Sequence, residues 1–246
     1  MAVTMGNGVW RRRRTDTCYL CGEELAKPRS KDHVPPKCFW PSIVIQEVKP
    51  DNLWTLQTHV ECNNSYKDDE EYFVNALRLF VPDTWAGGAL QVDFLNRITK
   101  HEGSMRLFGR TFRETRWQRF ATPSARGSVL VGIDYEKSRI DRVSWKILRG
   151  LQFVERGVIL PAEMTLRFAC LGSARQAPDG LSAWWKGASG AGRYPYPRVF
   201  EYRFKRADES DTGEEQWMLR FWEGLIWWTA FPGPIATPNH EQGAYL

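Results

Sequence analysis

Residues 18–67 read CYLCGEELAKPRSKDHVPPKCFWPSIVIQEVKPDNLWTLQTHVECNNSYK. Cys18/Cys21 and His59/Cys62, two ligand-type pairs, lie towards its ends. Each pair encloses two residues, a spacing at which a tight turn aims both side chains at one ion, and thiolates with an imidazole suit tetrahedral zinc. A disulfide is the alternative reading. A chain without an export signal favours the metal, because thiols inside the cell stay reduced. Zn2+ held by Cys18, Cys21, His59 and Cys62 is therefore the expected structural centre. The 37 residues between the pairs exceed the needs of a compact zinc finger. They are expected to carry structure of their own.

The order CxxC, DHVPPK, DNLWTL and HxxCNN resembles the zinc-stapled branch of the HNH endonucleases, the ββα-metal nucleases, over the first 67 to 80 residues. The resemblance implies a hairpin with Asp-His on its first strand, a loop asparagine, and a helix starting near the last Cys-Asn, closed around a catalytic divalent cation. Residue by residue it makes His33 the general base, with Asp32 and Asn63 holding Mg2+ or Mn2+. Asn52 would fix the loop carrying the base. Lys67, one residue later than in CNxxK, and Lys37 of DHVPPK would meet nucleic acid. His59 stands where the commoner pattern has Cys, which zinc tolerates.

The chemistry is consistent on its own terms. Phosphodiester hydrolysis needs a proton acceptor, a counter-charge for the phosphate and leaving oxygen, and a rigid frame. A histidine with a reference pKa of about 6.5 is mostly neutral near pH 7 and can take a proton. Carboxylate and amide oxygens are the hard ligands Mg2+ prefers. Taken alone, Asp32 reads equally as the cap of a turn before Pro35-Pro36, with His33 as packing. Flanking zinc pairs and the following CNN favour the catalytic reading.

Composition bounds the rest. With 246 residues, 42% hydrophobic and 13% aromatic, the chain can bury a real core as one large or two small domains. No apolar run suggests a membrane span, and MAVTMGNGVWRRRR lacks the apolar stretch of a secretory signal, so a cytoplasmic location is expected. Five cysteines form no regular framework, and Cys38 and Cys170 are left as free thiols. Net charge is only +5, so its distribution carries more information than its total. Arg11, Arg12, Arg13 and Arg14 form a run before the first ligand pair. It reads either as a solvated tail or as a phosphate-contacting arm.

Asn63 to Phe80 reads as a helix, with Phe73, Leu77 and Phe80 at helical spacing and Asp68, Asp69, Glu70 and Glu71 as a solvated acidic start. Pro82 ends it. From Arg97 to Arg126 there are seven Arg and one Lys against two Glu. Arg106, Arg110, Arg113 and Arg116 recur at three- and four-residue steps, a helical face able to track a phosphate backbone or simply a surface helix. Ser128 to Tyr135 reads as a strand, Ile140 to Leu151 as a helix closing near Gly157, and Thr165 to Leu171 as a strand. Loops around AWWKG follow. Val199 to Phe231 reads as a hairpin turning through Asp208 to Glu214, with its second arm dividing into two strands.

The expected fold class is therefore α+β. A basic arm (1–17) precedes a ββα-metal zinc module (18–82), a basic helical region (83–127) and a C-terminal α+β domain with Trp-rich antiparallel strands (128–246). The expected activity is metal-dependent hydrolysis of nucleic acid, DNA before RNA, with homodimerisation through the C-terminal domain as a further expectation. Two alternatives stand beside it: a zinc-stabilised nucleic-acid-binding protein without catalysis, and an adaptor whose C-terminal half binds protein.

Overall fold

Between the two ligand pairs the chain folds back on itself. A computed structural model describes residues 16–48, 53–100, 109, 117–121, 129–133, 135–161, 164, 168–173, 179–188, 190–192 and 197–232. In order, the elements are β1 (Arg29–His33), α1 (Ser42–Val48), β2 (Thr55–His59), α2 (Val60–Asn64), α3 (Lys67–Leu77), α4 (Trp85–Lys100), β3 (Trp117–Ala121), β4 (Val129–Ile133), α5 (Lys137–Arg156), β5 (Ala169–Ser173), α6 (Asp179–Gly187), β6 (Gly190–Gly192), β7 (Phe200–Lys205), β8 (Glu214–Phe221) and β9 (Leu225–Pro232).

β1 and β2 pair antiparallel with Asp32 opposite Leu56 and His33 opposite Thr55. The chain passes from β2 directly into α2 and then α3. Asp68, Asp69 and Glu70 occupy the first turn of α3, where carboxylates meet the positive end of the helix dipole. The expected helix over 63–80 is thus three pieces: α2, α3 and a 3-10 turn at Arg78–Phe80. α5 follows the spacing of Ile140, Val143, Ile147 and Leu151, all buried. It ends at Gly157, whose φ of 69° lies in the left-handed region that glycine enters without penalty; its N–H meets the Phe153 carbonyl at 2.9 Å.

Two expectations change here. The stretch expected to be helical through residue 127 contains α4, which stops at Lys100, and β3, which pairs with β4 inside the strand expected over 128–135. WQRFA contains the strand-favouring residues Trp117 and Phe120, and VLVGI supplies a β-branched partner of matching length. The strand expected at 165–171 runs instead from Ala169 to Ser173. The C-terminal half is an antiparallel sheet in the order β5-β9-β8-β7-β6, in which the long second arm does divide, at Trp222–Gly224, into β8 and β9.

One core runs through both the segment that carries the Cys and His pairs and this sheet. Phe39, just after β1, stacks on Phe73 of α3 at 4.8 Å between ring centroids, and Phe221 and Trp222 close over the pair at 5.8 and 5.6 Å from Phe39. The Trp222 indole donates to the Phe39 carbonyl at 2.9 Å. Burying rings of 150–250 Å² at about 25 cal/mol per Å² gives roughly 4 to 6 kcal/mol of gross transfer energy each. A handful of such contacts therefore binds the two halves firmly. Trp217, Trp222 and Trp227 are interior, so their density reflects core filling.

Candidate metal centre

The CxxC turn is held by its own backbone. Gly22 N–H returns to the Cys18 carbonyl at 2.8 Å and Cys18 N–H to the Glu23 carbonyl at 2.8 Å. Both thiols are thereby set on the inside of one tight bend. His59 is the last residue of β2 and the N-cap of α2, which places Cys62 one helical turn away. The strand-to-helix corner does for His59/Cys62 what the turn does for Cys18/Cys21.

The four ligand atoms lie within 4.8 Å of one another. His59 Nδ1 is 3.4 Å from Cys21 Sγ and 3.8 Å from Cys62 Sγ. Bond lengths of about 2.3 Å to sulfur and 2.05 Å to nitrogen at the tetrahedral angle would separate S and N by about 3.6 Å. The fit is close. His59 Nε2–H donates to the Glu24 carbonyl at 2.9 Å, which turns the lone pair of Nδ1 towards the sulfurs and fixes the ring from behind. Burial and the neighbouring Cys18 and Cys21 thiols push Cys62 up to about 12. A cation is what would compensate the Cys62 thiolate at such a site. This Cys3His cluster could hold a metal such as zinc, at a site closed by protein ligands.

Successive residues of a strand point to opposite faces, and β1 obeys this at Asp32 and His33. Asp32 turns inward and is 4% exposed, while His33 is half-buried. Burial lowers the His33 pKa from its ordinary value; Asp32 raises it, and Lys37 and Lys146 lower it further. The imidazole is held neutral at neutral pH. Asn63 reaches from α2 to β1, its amide donating to Ser30 Oγ at 2.9 Å and to the Lys31 carbonyl at 3.4 Å. Lys37 and Lys67 are exposed. Asn52, the run Arg11, Arg12, Arg13 and Arg14, and Arg106, Arg110, Arg113 and Arg116 lie outside the described residues.

Both carboxylate oxygens of Asp32 are engaged from within. Tyr19 OH donates to Oδ2 at 2.5 Å, and the Lys146 ammonium donates to Oδ1 at 2.8 Å and also to Glu70. Lys146 is 1% exposed. Burial lowers its pKa, but Asp32 and Glu70 outweigh this and leave it raised, so it remains an ammonium. Two further α5 cations, Arg139 and Arg142, pair with Asp69. The acidic start of α3 is therefore not simply solvated: Asp69 and Glu70 face α5.

Arg149 extends the same face, its guanidinium donating to the Leu20 carbonyl in the CxxC turn and to the Leu160 carbonyl. Tyr19, Glu70 and Lys146 were not among the expected site residues. The spacing of Arg139, Arg142, Lys146 and Arg149, steps of three, four and three along a helix opposite an acidic one, is the signal for Lys146 and Glu70, while no such pattern marks Tyr19.

No family model matches the chain, and no curated protein or solved structure is detectably similar to it. Among the described residues, no helix is long and apolar enough to cross a membrane.

Proposed function

We propose that this protein is an HNH-type endonuclease, hydrolysing phosphodiester bonds of nucleic acid with His33 as general base. The observation that carries the reading is the arrangement around the Cys3His cluster. A β-hairpin has Asp32-His33 ending its first strand and a ligand ending its second, and the following helix returns Asn63 to the first strand. Strand, strand and helix come in the order the resemblance implies. His33 is neutral and half-buried, so it can take a proton from an attacking water while its surroundings restrict its rotation. Exposed Lys37 and Lys67 supply positive charge for backbone phosphates. DNA is the preferred substrate class in this reading.

The expected divalent site does not fit the arrangement. Asp32 has given both oxygens to Tyr19 and Lys146, so Asp32 and Asn63 do not offer a hydrated Mg2+ or Mn2+ a pair of open oxygens, and no step is assigned to such an ion. The same capture of Asp32 favours a second reading, a zinc-stabilised nucleic-acid-binding protein that does not cut. Incubating the zinc-loaded protein with supercoiled plasmid and with single-stranded DNA and RNA, with and without Mg2+ or Mn2+, decides between them. Under the nuclease reading, His33→Ala lowers the rate by about 10²–10⁴-fold and keeps its zinc. Wild-type protein that binds these substrates and leaves them intact establishes the binder instead.

A further inference from the structure

Lys146 lies 114 positions after Asp32 in the chain, yet its ammonium sits between two carboxylates of the zinc-bearing segment. Surface ion pairs are weak and interchangeable. This one is neither at the surface nor isolated: Lys146 and Asp32 are 1% and 4% exposed. Each Asp32 oxygen has one close donor, and the donor on the other oxygen, Tyr19, stands inside the CxxC turn. The Tyr66 ring faces the ammonium at 5.2 Å. Hard oxygens converging from two elements and an aromatic face are what a buried cation needs to offset its lost hydration.

We propose that Asp32 and Glu70 form a cation pocket whose resident is the Lys146 ammonium, so that α5 provides from within the chain the positive charge that the resemblance would give to a divalent ion at Asp32. Asp32 is then a positioning residue. It anchors the end of β1, and with it His33, to α5 and to the CxxC turn. The inference rests on the nuclease reading for the role of His33, but its structural content concerns Asp32, Glu70 and Lys146 alone. It also gives residues 128–246 a role: α5 completes the pocket.

The pocket is tested in the full-length, zinc-loaded protein by titrating Mn2+ and following free Mn2+ by electron paramagnetic resonance, with zinc content and circular dichroism recorded for each variant. Wild-type protein is expected to bind no Mn2+ that Asp32→Asn removes. Lys146→Met, which keeps length and loses charge, is expected to take up about one Mn2+ per chain on the freed carboxylates. The double variant Lys146→Met/Asp32→Asn should lose it again.

A wild-type Mn2+ site abolished by Asp32→Asn overturns the proposal, as does a folded, zinc-bearing Lys146→Met protein that binds none. Should Lys146→Met fail to fold, the comparison of wild type with Asp32→Asn still decides. Failure here leaves the nuclease reading standing, since that reading falls only on the cleavage assays. Loss of cleavage would not in turn produce or remove the Mn2+ signal.

Discussion

Gly150 of α5 packs tightly against Val34, the residue that follows the strand carrying the candidate base. A methyl group built on it would lie 2.6 and 2.7 Å from the two methyl carbons of Val34 and 3.2 Å from its Cβ. Carbon atoms rest at about 3.5–4.0 Å, so Gly150→Ala must push the helix and Val34 apart by about 1 Å. Val34 follows His33, is 1% exposed, and is held by its N–H to the Trp54 carbonyl at 3.1 Å, which leaves little room to yield. Overpacking of this kind costs about 1–3 kcal/mol, against a helix-propensity gain of about 0.8–1.0 kcal/mol for alanine over glycine.

The net expectation for Gly150→Ala is thus a loss of about 0–2 kcal/mol. In a Val34→Ala background, where the clashing methyls are gone, the same change should stabilise by up to about 1 kcal/mol. The difference between the two backgrounds, about 1–3 kcal/mol, is the coupling that a double-mutant cycle isolates. Urea denaturation of zinc-saturated protein measures it, and thermal melts should follow at about 2–4 °C per kcal/mol for a chain of this size. If Gly150→Ala stabilises both backgrounds equally, α5 does not pack on Val34, and the path from α5 to His33 is lost with it.

Two further outcomes follow from the geometry. Cys62→Ala should reduce zinc from about one per chain towards none by elemental analysis and unfold the hairpin segment, because the closed site contributes its binding energy to folding; a folded wild-type protein that contains no zinc would refute the centre. The acid limb of the cleavage rate should have its midpoint below about 6.5, the reference value for histidine. Burial depresses the His33 pKa, so the imidazole keeps its lone pair to lower pH and activity disappears only as it becomes an imidazolium. A midpoint above that reference would mean that another group sets the limb.

The Cys3His cluster was legible because its signal is local. A two-residue spacer closes a turn within the backbone's own reach, whereas RSKDH is polar throughout and its strand was expected from the family resemblance alone. The end of α5 and the span of β7 were legible for the same reason, through a glycine that admits φ of 69° and through regular alternation, while the second arm begins at Glu214 and not at the expected Trp217. What escaped was the orientation of adjacent residues relative to a distant helix. The dipeptide Asp32-His33 reads as a single catalytic unit on paper, whereas the pleat sends Asp32 inward, away from the face of His33. The destination of Asp32 could not be read because Lys146 is 114 positions away. The acidic run at 68–71 looked solvated because one helix read alone does not show which of its faces a second helix will cover.

The division into a metal module and a separate C-terminal domain rests on the same local view, and ion pairs cross it. Asp32, Asp69 and Glu70 are answered by Arg139, Arg142 and Lys146, all on α5. Removing one side of a buried ion pair costs about 3–5 kcal/mol, because the charge left behind has neither water nor partner. Without α5, Asp32 and Glu70 would face an emptied groove; without β8 and β9, Phe39 and Phe73 would lose Phe221, Trp222 and Trp227. Zinc can close its own turn, but the surface that turn presents to the interior is shaped to be covered by the second half of the chain. The hairpin, α3, α5 and the C-terminal sheet therefore contribute to one core, and Asp32, next to His33, is held by a residue 114 positions away.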